Sequence, residues 1–286
     1  MKYSVGNITL TAHLLRHFAK ILANVRFPFS KSSRNKFKER FLKVTCGELI
    51  YRRESKKVIE KEFEQNDIPI FIISFNNLTY LKNTINTLEK YKLSNIHVID
   101  NKSDYPPLLD YLKDIPYQVH MLDKNWGHRV LWDSHLFDDY IFNQMYVVTD
   151  PDLEFNPKLP DNFLYHMYKI LVQFPNITKV GFGIRIDDLP NSELNDKVIS
   201  WEKQFWKEKQ PDAEYELYRA HVDTTFALYR PGKIRRYNFY TGLRIAGDFL
   251  ARHLPWYGDC EERAYYRETA SVNSASWTKD SSRYDL

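Results

Sequence analysis

The sequence predicts an α/β domain, a mostly parallel mixed sheet flanked by helices, preceded by a basic, helix-bearing amino-terminal extension. Three observations predict it. Between Ile68 and Ile186, short runs rich in Val and Ile alternate with longer segments whose apolar residues recur every three to four positions, the pattern of strand, crossover helix and parallel strand. The first run, Ile68–Phe75, is apolar almost without interruption, as in a strand covered on both faces. Later runs stop at polar clusters, which a sheet of this kind places together at its carboxyl edge.

At 286 residues, 43% of them hydrophobic, the chain can bury a full core. Residues 1–66 read as an extension and 67–286 as the domain, with a first half to Phe155 and a second from Asn156. In the extension, Leu14, Leu15, Phe18, Ile21, Leu22 and Val25 form one stripe of an amphipathic helix over Thr11–Val25. A charge-dense lead-in follows. In the domain, Asn76 and Asn77 are expected to cap a helix whose stripe is Leu78, Leu81, Ile85 and Leu88, before a strand over Asn95–Ile99. Strands are expected over Tyr117–Leu122, Met145–Thr149 and Lys179–Ile186, and helices within Gly127–Phe142 and over Asp161–Phe174. His221–Arg230 reads as one further strand, and Trp201, Phe205 and Trp206 recur at helical spacing as packing or an acceptor-side cover.

The net charge of +4 hides an asymmetry, since residues 1–66 hold 15 Lys and Arg against 6 Glu. A basic extension thus precedes an acidic body. Its helix either packs on the domain or makes peripheral contact with an anionic membrane, and its charge could equally meet an acidic polysaccharide acceptor, while no nucleic acid is expected as a partner. No apolar run approaches the roughly 20 residues that span a bilayer, and Met1–Leu10 lacks the order of a secretory signal. Cys46 and Cys260 lack a CxxC or zinc pattern, so reduced thiols and a cytoplasmic location are expected.

The chemistry centres on Asp150-Pro-Asp152, two carboxylates at the end of the strand Met145–Thr149. Residues i and i+2 of an extended segment point the same way, so both could hold one hard cation, Mn²⁺ or Mg²⁺, on a diphosphate. Three other strand ends supply Ser74–Asn77, Asp100–Ser103 and Asn125–Arg129. Together they make a site for a nucleotide diphosphate, although Asp100 read alone is equally a helix cap. Neither GxGxxG nor GxxxxGK[ST] occurs.

The succession FIISFNNLTYLKNTINTLEKY, HVIDNKSDY, DKNWGHR and YVVTDPDLEF resembles the nucleotide-sugar-binding half of the family 2 glycosyltransferases of the GT-A fold. The resemblance covers about Ile68–Phe155. It implies a base pocket lined by Ser74, Phe75 and Asn76, Asp100 with Asn101 at the uracil or ribose, and the turn Asn125-Trp126-Gly127 with Arg129 beside it. It also implies metal binding by Asp150 and Asp152, the DXD motif of that family. The usual Asp-Asp-Gly-Ser reads Asp100-Asn101-Lys102-Ser103 here, and His128-Arg129 replace small residues. In the second half the resemblance implies that Asp223 heads the strand beneath donor and acceptor, as base or as a structural cap, with Asp248 the competing base. His253 is either a third metal ligand or a packed residue. Arg244 and Arg252 could reach the diphosphate, whereas Asp259, Glu261 and Glu262 read as solvated.

The function so implied is metal-dependent transfer of a sugar from a nucleotide-diphospho-sugar, UDP first, to a carbohydrate hydroxyl in glycan or polysaccharide assembly, with inversion. Three rivals are weaker. A sugar-phosphate nucleotidyltransferase wants a glycine-rich first loop, which Ser74-Phe75-Asn76-Asn77 is not. A haloacid-dehalogenase-type phosphatase wants Thr or Val where Glu154 stands. A non-catalytic basic binding module leaves the strand-end clusters unexplained.

Overall fold

A computed structural model describes residues 63–175, 177–211, 214–232, 241–258 and 260–269. The chain divides into two units, Met1–Lys61 and Glu62–Leu286, and the described residues belong to the second. The helix expected over Thr11–Val25, nearly all of the basic lead-in and Asp259 lie outside them.

The domain is a mixed α/β fold with a large central sheet flanked by helices. Strand β1 (Ile70–Ser74) is buried throughout, because it sits between β2 (Ile96–Asp100) and β4 (Tyr146–Thr149), parallel to both. Alternate residues face opposite layers. Ile70 and Ile72 join the core beneath α1 (Leu78–Lys90) and α5 (Phe163–Gln173), while Phe71 and Ile73 join a second cluster with Trp132, Phe137 and Tyr146. Leu81, Ile85 and Leu88 of α1 are buried as the stripe predicts. Helix α2 (Pro106–Asp114) opens on prolines, which lose nothing at a first helical turn, and leads to β3 (Gln118–Met121) at the sheet edge.

The strand order is β3-β2-β1-β4-β8-β6-β9-β7, with β6 at Lys179–Phe182, β7 at Leu217–His221, β8 at Ala227–Tyr229 and β9 at Thr241–Ile245. Strand β8 is antiparallel to both neighbours, Leu228 pairing with Val147 on one side and Val180 on the other. The single strand expected over His221–Arg230 is therefore two strands in different places. Asp223-Thr224-Thr225 is turn chemistry within an apolar run, and the chain crosses there, anchored by buried Val222 and Phe226. Gly181 permits the crossing, since a Cβ would collide with the Val222 side chain.

Two other expectations shift. The helix expected within Gly127–Phe142 is a 3-10 turn (Gly127–Arg129), then α3 (Val130–Asp133) and α4 (Asp138–Asn143), broken where His135 adopts φ 63°. The strand expected to reach Ile186 ends at Phe182, because Gly183 leaves the ladder and Ile184 bridges to Ala251. A two-stranded sheet pairs β5 (Leu153–Phe155) with β10 (Ala251–His253). Helix α6 (Glu193–Glu202) carries a Ser192 cap, and α7 (Arg263–Thr269) ends the described chain. No helix among the described residues is long and apolar enough to cross a membrane.

Candidate active site at the carboxyl edge of the sheet

The parallel register sets the strand ends flush. Ser74 of β1 pairs with Asp100 of β2, and β4 delivers Asp150 beside them. The bend after β4 is held from three directions: Asp150 N donates to Thr224 O (2.7 Å), Thr84 Oγ1 to Pro151 O (2.6 Å), and Leu254 N to Asp152 O (2.9 Å). Side chains complete it. Thr224 Oγ1 donates to Asp150 Oδ2 at 2.5 Å, and His253 Nε2 lies 3.3 Å from Asp152 Oδ2, whereas Asp152 Oδ1 is buried with no hydrogen-bond partner.

Burial and the neighbouring Asp152 push the Asp150 carboxyl well above the usual range. Burial acts on Asp152 in the same sense, but His253 and Arg263 outweigh it and hold that carboxyl low. Two carboxylates thus share one desolvated corner. One oxygen still lacks a partner, a deficiency that a hard cation would satisfy.

Three of the four predicted strand-end clusters are wired to one another, and the fourth, Asp150–Asp152, follows β4 beside β1. Asn101 N donates to Ser74 O (2.8 Å), its Nδ2 donates to Gly127 O (3.1 Å), and its Oδ1 accepts from Trp126 N (2.8 Å). Asn125 Oδ1 accepts from the N–H of Gly127 (2.8 Å), whose φ of 73° suits glycine. Asn76 Oδ1 accepts from Asp104 N and Tyr105 N (2.9 and 3.0 Å), and Asn76 N donates to Ser103 Oγ (2.9 Å). Asn77 stands at the N-cap position of α1, its carbonyl accepting from Leu81 N, but its side chain makes no cap bond. The side-chain bond at that helix end comes instead from Glu262, which accepts from Thr79 N (2.6 Å) and Thr79 Oγ1 (2.7 Å) and is 2% exposed rather than solvated. Glu261 is exposed as expected.

Nor does Asp100 cap α2. Its Oδ2 accepts from Ser103 N (2.9 Å), its Oδ1 is buried without a partner, and burial raises its carboxyl. Ser74, Asn76, Asp100 and Asn101 are all buried, with Phe75 half-buried above them.

Arg129 pairs with Asp133 (3.2 Å). Asp223 is exposed on the crossing segment next to Thr224, and its charge is felt by His128 and by Lys179. Lys179 went unrecognised in the sequence. It is fully buried, donates to Tyr229 Oη (3.0 Å), and burial pulls its ammonium down to about 7.

The two predicted phosphate-binding arginines are each engaged by carboxylates, Arg244 in the interior and Arg252 at the surface. Arg244 is buried, bonded to Glu202 (2.5 Å) and His221 O (2.7 Å) and stacked near Phe205, which fixes Phe205 as packing. Arg252 bridges Asp188 (2.6 Å) and Glu154 (3.0 Å). Asp248 is exposed on a 3-10 turn and lines a cavity of about 500 Å³ with Glu154, Asn156, Arg185 and Arg252. Among the described residues, no group of three or more His, Cys, Asp or Glu side chains is arranged to hold a metal ion.

No protein-family model matches the chain. No curated protein matches it either. Among solved structures it is similar to 4-diphosphocytidyl-2C-methyl-D-erythritol synthase from Anaerococcus prevotii DSM 20548, at 12% identity over 57% of this chain and 72% of that one. The TM-score is 0.32, a similarity too slight to argue from.

Proposed function

We propose that the chain is a metal-dependent glycosyltransferase of GT-A type, taking a nucleotide-diphospho-sugar, UDP-sugar first, and transferring its sugar with inversion to a carbohydrate hydroxyl. One observation carries the reading. Asp150 and Asp152 stand side by side at the carboxyl end of a central strand, desolvated, with Asp152 Oδ1 lacking a partner, flush with the ends of two parallel strands. The motif succession of the first half supports it.

Asp150 and Asp152 would hold Mn²⁺ or Mg²⁺, which when bound would offset the charge of the leaving diphosphate. Thr224 orients Asp150, and His253, through its contact with Asp152 Oδ2, orients Asp152. Asp223 would accept the proton of the acceptor hydroxyl. Its support is position, since the next residue, Thr224, is bonded to Asp150 through both backbone and side chain. Asp248, the competing base, lines the cavity beyond β5 and β10, where a polyhydroxylated acceptor would find donors and acceptors over an apolar floor of Phe155 and Leu250.

A thermal-shift panel of nucleotide sugars with and without Mn²⁺ identifies the donor, a ligand at 100 times its Kd adding about 2.7 kcal/mol of stability. With that donor, Asp152→Asn should lower sugar transfer and donor hydrolysis by roughly 10²-fold or more. Undiminished activity without metal would contradict the proposal, and pyrophosphate release from a nucleoside triphosphate and a sugar phosphate would replace it with nucleotidyl transfer.

A further inference from the structure

The loops expected to line the base pocket are covered by the chain's own carboxyl-terminal segment. Cys260–Thr269 comes from more than 150 residues away in sequence and seats on the loops after β1 and β2. Thr269 Oγ1 accepts from Asn76 Nδ2 (3.0 Å), and Tyr265 Oη donates to Asp104 O (3.3 Å). The Tyr265 ring lies 5.0 Å from that of Tyr105, and Tyr266 meets Phe75 edge-on at 6.2 Å. Arg263 acts electrostatically on Asp152, and Glu262 closes the end of α1 through Thr79. Ser74, Asn76, Asp100 and Asn101 are buried in this arrangement.

Two physical points make the cover a movable one. A helix of seven residues has no stability of its own, so α7 stays helical only while docked. Its docking is mostly polar, and of α7 itself only Arg263 is buried. Segments with few buried apolar contacts open at low free energy. The strongest single tie is the Glu262 carboxylate at the amino end of the 13-residue α1, where the helix dipole favours an anion.

We infer that Cys260–Thr269 is a self-blocking lid over the donor crevice, latched by Glu262 on Thr79, which opens to admit the nucleotide. The inference rests on the proposed donor site. Because only the open form binds, the apparent Kd is the intrinsic Kd divided by the open fraction. Weakening the latch therefore tightens nucleotide binding, the reverse of what loss of a binding residue does.

The test uses the full chain with UDP and Mn²⁺, and with the other nucleoside diphosphates if UDP does not bind. Hydrogen exchange of the 260–269 amides and nucleotide Kd by calorimetry are measured for wild type and Glu262→Gln. Nucleotide should speed exchange in 260–269, and Glu262→Gln should speed it without nucleotide and lower Kd by about 3–10-fold. Tyr265→Phe, which removes one peripheral bond and leaves the α1 cap intact, should move both readings the same way by less. Nucleotide binding that leaves or slows exchange in 260–269, or a weaker Kd in both variants, overturns the lid and leaves the donor site standing. Failure of every nucleoside diphosphate to bind even Glu262→Gln overturns both.

Discussion

Lys179 places an ammonium where water does not reach, at the first position of β6. Burial dominates its titration and brings it from the ordinary 10.5 down to about 7, with Arg129 and Arg244 pressing the same way and Asp223 opposing. The sign follows from proton counts. Between pH 7 and 10.5 the unfolded chain holds a proton that the folded one has released, so stability rises with pH across that window. Below it both states are protonated and the cost of burial is felt in full. Lys179→Met should therefore stabilise the protein at pH 6 and flatten the rise toward pH 9, read by urea unfolding at both values. Curves that stay parallel to wild type would show that Lys179 is not neutralised. Sequence marked Lys179 only as the start of a strand, because periodicity reports which face a residue takes and not how deeply a long side chain is enclosed. The partners of Arg244 and Arg252 were hidden for a related reason. Guanidinium suits phosphate, but it suits Glu202 and Asp188 equally, and those partners lie about 40 and 60 residues away.

Strands β2 and β3 carry a second titrating device at the sheet edge. His97 Nδ1 and His120 Nε2 are 3.2 Å apart, their rings stacked at 5.4 Å, and burial with His120 pulls His97 down from 6.5 to about 4. Stability is then lost as pH falls from 6.5 toward 4, where only the unfolded chain holds the extra proton. His97→Gln should flatten that acid limb whatever it costs in packing at pH 8, and an unchanged slope would assign acid unfolding elsewhere. The crossing segment between β7 and β8 makes a different prediction. Thr224→Val keeps shape but leaves Asp150 Oδ2 without its donor, which should cost about 1–3 kcal/mol and show in the unfolding midpoint. At this scale β1, β2 and β4 were legible as short apolar runs, and α1 and α5 because one apolar stripe runs through each. The break at Asp223-Thr224-Thr225 was not, since β-branched threonines continue a strand pattern while serving as a turn, and the Glu262 cap joins residues too far apart for any spacing rule.

Across the whole domain, the parallel register of β2, β1 and β4 decides where chemistry can occur, by bringing polar strand ends level at one edge of the sheet. That edge was legible from the order of its four clusters. The seating of α7 on the loops after β1 and β2 was not, because docking of a distant segment carries no local pattern. The proposed divalent-cation site at Asp150 and Asp152, which would take a nucleotide diphosphate, is tested by Mn²⁺ binding followed by electron paramagnetic resonance. Wild type should bind one Mn²⁺ more tightly with the nucleoside diphosphate than without it, and Asp152→Asn should weaken that binding by at least about tenfold, or 1.4 kcal/mol. Mn²⁺ affinity that is the same in wild type and Asp152→Asn, with nucleotide present, would show that these carboxylates do not hold the metal.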